Sequence, residues 1–180
     1  MEMRIEADSI GSLAVPAEAY YGVQSLRAKK NFNITGKGMH PVFIRNLVKI
    51  KKAAAVTNRS INMLEDGIAD AIICACNEII DGEFQDQFIV DPIQGGAGTS
   101  ANMNANEVIA NRAAEILGGV KGDYSLVHPN DHVNMSQSTN DVIPSAGKLT
   151  VLELLPKTIY ELKRLHAALF KKSKELDHIL

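Results

Sequence analysis

Two short stretches crowd small polar side chains at positions where helices begin. In Asn134-Met-Ser-Gln-Ser-Thr-Asn-Asp141, six of the eight positions are Asn, Ser, Thr or Asp, and none is basic. Ser138, Thr139 and Asn140 precede a long helical pattern, with Asp141 in its first turn. A helix start leaves free N–H groups and a positive dipole end, so hydroxyls and amides there can hold an anion. One N-cap would satisfy the helix by itself. Gln94-Gly-Gly-Ala-Gly-Thr-Ser-Ala-Asn102 repeats the arrangement, with glycines that let backbone approach a ligand and Thr99 and Ser100 at the helix start. Neither G-x-G-x-x-G nor Gly-Lys-Ser/Thr is present, so this is not a nucleotide loop. Each loop alone reads somewhat more readily as a cap than as a site. Two in one chain favour a pair of neutral nests that together hold a dicarboxylate.

Asn102, Asn104, Asn106 and Asn111 follow in a helical pattern that asparagine disfavours, which points to buried hydrogen bonds to loops or a ligand. His128-Pro-Asn-Asp-His132 offers His128, Asp131 and His132 but no fourth metal ligand. Its residues read as hydrogen-bonded loop groups or an accessory anion contact. His40, His128, His132 and His166 form no recognisable base arrangement with the polar loops.

The elements that must position these loops are mostly helical. Apolar spacing predicts helices over 42–59, 66–80 and 100–117, and from Ser138 nearly to the end. Gly82 and Gly118-Gly119 act as stops. Residues 1–41 read as irregular, with pieces such as Met3-Arg-Ile-Glu-Ala able to pair as short strands. In the last helix Leu152, Leu155, Ile159, Leu162, His166, Leu169, Ser173, Leu176 and Leu180 alternate spacings of three and four. Pro156 is expected to kink it. A helix of about 40 residues is roughly 60 Å long and needs partners along its length. The expectation is a helical bundle completed by other chains or further sequence.

Composition narrows the classes. The 180 residues are 46% apolar, with a net charge of -2 and a pI near 6.2. No field favours nucleic acid or an anionic membrane, and no apolar run approaches the roughly 18–20 residues a span needs. The basic groups Arg45, Lys49, Lys51, Lys52, Lys171, Lys172 and Lys174 read as solvated helix faces. Cys74 and Cys76 cannot clamp each other on a helix and read as reduced core cysteines of a cytosolic protein without a signal peptide.

The segments "GGAGTSANMNANEVIANRA" and "HPNDHVNMSQSTND", with "VPAEAYYGVQSLRA" and "KIKKAAAVTN", resemble the aspartase/fumarase superfamily along essentially the whole chain. Ala97-Gly-Thr-Ser-Ala-Asn102 and Ser138-Thr-Asn140 resemble its aspartase branch, where class II fumarases usually read Ser-Gly-Thr-Gln-Thr-Asn and Ser-Ser-Asn. His128-Pro-Asn-Asp131 instead matches a fumarase accessory dicarboxylate site, so a class II fumarase stays open.

The resemblance implies a mainly α, L-aspartase-like fold, with an N-terminal lyase domain over 1–137 and the start of a central helical bundle over 138–180. It implies that Thr99 binds one substrate carboxylate and that Ser138, Thr139 and Asn140 hold the other and orient the amino group. Ser100 and Asn102 would support them, and Arg27 would be an auxiliary contact. His128, Asn130 and Asp131 would form the accessory anion site. No metal or organic cofactor is implied. The family's downstream Thr-His segment and its "GSSxMPxKxNP" base loop are absent from these residues. The chain is therefore expected to be an N-terminal fragment, inactive alone, of a cytoplasmic homotetramer. A non-catalytic helical assembly module is the alternative of a different kind.

Overall fold

The computed structural model describes residues 2–179. Strands β1 (Met3–Asp8) and β2 (Gly11–Pro16) form an antiparallel hairpin, with Met3 opposite Pro16 and Asp8 opposite Gly11. Five α-helices follow: α1 (Val23–Asn31), α2 (Pro41–Ser60), α3 (Asp66–Asp81), α4 (Thr99–Ile116) and α5 (Thr139–Leu176). The mainly α architecture with short N-terminal strands is the one expected.

Helix α4 runs through the centre. Ala105, Val108, Ile109, Ala113 and Ala114 are buried against Leu47 and Val48 of α2 and Ile72, Ala75 and Ile79 of α3. Small residues on one α4 face let neighbouring backbones approach closely, and larger ones fill the gaps they leave. His40 caps α2, its Nδ1 accepting from the Val42 N–H at 3.2 Å, with Pro41 in the first helical position. That role accounts for one of the candidate bases.

Three expectations need correction. Residues 23–31 are helical rather than irregular. The Gly22 N-cap has no side chain, and the acceptors come from far along the chain. Glu107 accepts from the N–H groups of Gly22, Gln24 and Ser25, and Glu6 from that of Val23. No local capping signal marks such a helix. Cys74 is exposed, and only Cys76 is in the core. Lys51 is fully buried rather than on a solvated face.

Helix α5 continues through Pro144 and Pro156. Its first turns pack on the body through Val142 and Ala146, and the Glu153 carboxylate receives hydrogen bonds from Arg45 and Asn46 of α2. From residue 151 to 179 every residue is exposed, including seam residues Leu152, Leu155, Ile159, Leu162, Leu169 and Leu176. Leu180 of the seam lies outside the described residues. Among the described residues no helix is long and apolar enough to cross a membrane.

Candidate functional site: two polar loops on a shared amide relay

The glycine loop is wound into a left-handed corner. Gly96, Ala97 and Gly98 all have positive φ, at 66°, 51° and 91°. Gly98 lies flush against α5: a Cβ there would stand 2.7 Å from Ile143 Cγ2. This contact joins the first loop to the start of the helix that carries the second. Gln94 receives the Ala101 N–H on its Oε1 at 2.7 Å, and its own amide donates to the Asp91 carbonyl, which pins the loop. Thr99 Oγ1 donates to the Gly96 carbonyl at 2.5 Å. The Thr99 hydroxyl proton is thus engaged within the loop, and gripping a carboxylate requires the hydroxyl to turn outward.

Gly98→Ala should therefore lower activity at least about tenfold by pushing the two loops apart. Gly118→Ala is the control: its φ is also positive, at 82°, but no atom lies within 4 Å of the added carbon. Steady-state rates of the two variants in the intact protein test this. Equal activities would show that the Gly98–Ile143 contact has no functional weight.

In the second loop Ser138 is the N-cap of α5, its Oγ accepting from the Asn140 N–H at 3.2 Å. Thr139 Oγ1 accepts from Asn102 Nδ2 at 2.9 Å. Both oxygens are acting as acceptors, so each hydroxyl still has its proton to donate. Ser138 and Asn140 are exposed and Thr139 is half-buried, so an anion has access to these donors and to the Asn140 amide. Asn102 Nδ2 also donates to Asn134 Oδ1 at 3.2 Å, and the same oxygen accepts from Lys51 Nζ at 2.7 Å. A relay thus runs from Lys51 through Asn134 and Asn102 to Thr139. Burial pulls the Lys51 pKa down to about 7, with the nearby Cys76 opposing the shift.

The other α4 asparagines also explain their cost in helix propensity. Asn104 bonds the Ile89 N–H and the Gln87 carbonyl, and Asn111 bonds the Tyr20 carbonyl and the Gly122 N–H. Among the described residues, Asn106 is buried with neither side-chain atom paired, and Asn102 Oδ1 is likewise unpaired.

Lys51 and Asn134 were not among the expected site residues. The signal for Lys51 lies in its own helix. Leu47, Lys51 and Ala55 stand four apart with exposures of 1%, 0% and 4%, so the lysine interrupts an otherwise inward-facing stripe. Reading it with the other basic residues of α2 hid that register.

Arg27 and the accessory residues gather elsewhere, in a cavity of about 550 Å³ lined by Asp8, Arg27, Ser100, Tyr124, His128 and Asn130 among others. Thr99, Ser138, Thr139 and Asn140 do not line it. Arg27 is committed to Asp8 through bonds of 2.9 and 3.1 Å and to the Gly11 carbonyl. This pairing holds the Asp8 carboxyl below its usual pKa. His128 Nδ1 accepts from the N–H groups of Asn130 and Asp131, while the Asp131 side chain is exposed outside the cavity lining. His132 Nδ1 accepts from the His128 N–H, and His166 lies on exposed α5. None of these hydrogen bonds joins a histidine to Thr99, Ser138, Thr139 or Asn140. Among the described residues no group of three or more His, Cys, Asp or Glu is placed to hold a metal ion.

A family model described as lyase matches residues 11–180. The chain belongs to the aspartase/fumarase superfamily of lyases. It is 51% identical over 179 residues to an aspartate ammonia-lyase from Bacillus subtilis, covering 99% of this chain and 38% of that one. It is 50% identical over 180 residues to a class II fumarate hydratase from Halobacterium salinarum, with the same coverage of each. A crystal structure titled fumarate lyase:delta crystallin, from Brucella melitensis, superposes with a TM-score of 0.91 at 49% identity, covering 97% of this chain and 41% of that one. This lyase-family chain therefore spans well under half the length of the relatives it matches.

Proposed function

We propose that the protein carrying this chain is an aspartate ammonia-lyase, which converts L-aspartate to fumarate and ammonia, and that Thr99, Ser138, Thr139 and Asn140 grip the substrate. The observation that carries this reading is the direction of the hydrogen bonds in the second loop. Ser138 and Thr139 accept from within the protein and keep their protons for a carboxylate. In the reaction a base takes the C3 proton, and the electron pair left behind delocalises into the adjacent carboxylate. That pair then forms the C2–C3 double bond as the C2–N bond breaks and its electrons leave with nitrogen. Donors fixed before the charge develops stabilise it without reorganisation. The first turn of α5 adds its dipole in the same direction.

Among the described residues no histidine is hydrogen-bonded to these donors, so the base is assigned to other parts of the intact protein or to a neighbouring subunit. Residues 1–180 alone are expected to be inactive on that account. The exposed apolar seam of α5 supports a homo-oligomer, a tetramer on the family pattern, in which copies of this helix pack together. The free cysteines Cys74 and Cys76 fit a cytoplasmic setting.

A class II fumarase is the second reading. It is supported by the similarity to the Halobacterium salinarum fumarate hydratase and by the His128–Asn130 cavity. The intact protein decides between them when fumarate is followed by its ultraviolet absorbance. Turnover of L-aspartate but not L-malate is expected; turnover of malate alone would replace the first reading with the second, and turnover of neither would reject both.

A further inference from the structure

We propose that Lys51 is a positioning residue for the carboxylate site: as an ammonium that only donates, it acts with the Gln137 carbonyl to hold the direction of the Asn134–Asn102–Thr139 relay and leaves the Thr139 proton for the ligand. The proposal rests on the dicarboxylate chemistry proposed above.

The relay contains two side-chain amides, and an amide can present either its oxygen or its nitrogen to a neighbour. A protonated amine has three donors and no acceptor. The Asn134 atom facing Lys51 Nζ at 2.7 Å must therefore be the oxygen, and its nitrogen donates to the Gln137 carbonyl at 3.2 Å in the same orientation. That oxygen also faces Asn102, so the Asn102 atom 3.2 Å away must be the nitrogen. The same nitrogen reaches Thr139 Oγ1 at 2.9 Å, so Thr139 must accept. Its proton is then free to point outward.

Without Lys51 only the 3.2 Å bond to the Gln137 carbonyl holds Asn134 in that orientation, and the order can reverse. Asn134 could offer its nitrogen to Asn102 Oδ1, or Asn102 could turn so that its oxygen faces Thr139. Asn102 Oδ1 is buried and unpaired, a ready acceptor for the Thr139 hydroxyl. In that arrangement Thr139 donates inward and presents only lone pairs to a carboxylate, which repel it.

The position of Lys51 fits this role. Asn134 Oδ1 is its one hydrogen-bond partner among the described residues, and no carboxylate pairs with it. A cation buried without a counter-charge is costly for a helix that needs only packing. The polar loops themselves contain no basic residue from Gln94 to Asn106 or from Asn134 to Asp141. The cation enters from below, on α2.

The test uses the intact protein and succinate, a dicarboxylate that lacks the leaving amine, with binding read by titration calorimetry. Lys51→Met keeps most of the side-chain length and removes the donor. It should raise the succinate Kd about tenfold or more, the usual effect of losing a charge-assisted hydrogen bond. In a Thr139→Val background, where no hydroxyl remains to be oriented, it should raise Kd less than about threefold, because the two changes act through one group. KM for aspartate should follow the same pattern.

An unchanged Kd, or the same factor in both backgrounds, would overturn the proposal. A merely structural lysine lowers the fraction of active protein without producing this dependence on background. If Lys51→Met does not fold, Asn134→Ala cuts the relay one bond further on, at a half-buried loop position, and must show the same pattern. A protein that binds succinate but does not deaminate aspartate rejects the aspartate reading while leaving this test intact; one that binds no succinate removes both.

Discussion

Thr139→Val should lower kcat/KM for L-aspartate by about 100- to 1,000-fold in the intact protein, the range for losing one prepositioned donor to developing charge. Valine matches threonine in shape, so helix α5 keeps its packing at this half-buried position. Two things change. The ligand loses a hydroxyl proton, and Asn102 Nδ2 loses its 2.9 Å acceptor while keeping Asn134. The second effect should cost only about 1 kcal/mol of stability, a typical neutral hydrogen bond. Loss of rate far beyond loss of stability therefore separates a binding residue from a cap. Thr139→Ser retains the hydroxyl and should stay within about tenfold of the original protein. Steady-state fumarate formation measures both. If the valine variant stays within threefold, the hydroxyl does not touch the reacting carboxylate.

The largest stability effect is expected at Glu107, further along α4. Its carboxylate accepts from the N–H groups of Gly22, Gln24 and Ser25 at 2.9 to 3.0 Å and from the Ser25 hydroxyl. Burial pushes its pKa above the usual carboxylate value, while the hydrogen bonds oppose the rise. The surroundings leave no room for a substitute. A Cβ on Gly22 would come within 2.3 Å of Tyr124 Oη and 2.8 Å of Glu107 Cδ. Glu107→Ala leaves three N–H groups and a hydroxyl without their acceptor at the start of α1 and opens a void. The expected cost is about 3–5 kcal/mol, or roughly 6–20 °C in the unfolding midpoint. Thermal and denaturant unfolding provide the measurement. A cost under 1 kcal/mol would mean that water or Glu6 replaces the cap. Because α1 carries Arg27, the cavity it shares with His128 should be disordered as well.

These two residues mark the limits of reading the sequence alone. The polar stretch at 134–141 and the glycine loop were visible because their residue types are concentrated and adjoin helical patterns. The asparagines of α4 were rightly suspect as poor helix formers, and Asn102, Asn104 and Asn111 do bridge to loops. Helix α1 was missed because its N-terminus is completed by Glu107, 85 positions from Gly22. Local pattern has no access to such a partner. Lys51 was grouped with charged neighbours although its register matched Leu47 and Ala55. Arg27, expected as an auxiliary substrate contact, is held by Asp8 in a cavity that Thr139 does not line. Only tertiary structure could separate those two polar regions.

The central claim is that the two loops together grip one dicarboxylate. The most direct measurement is a crystal structure of the intact protein with succinate bound. It should show a carboxylate within hydrogen-bonding distance of Ser138 Oγ and Thr139 Oγ1, with the Thr99 hydroxyl turned away from the Gly96 carbonyl. Succinate held only in the Arg27–His128 cavity, with Ser138 and Thr139 untouched, would contradict the account.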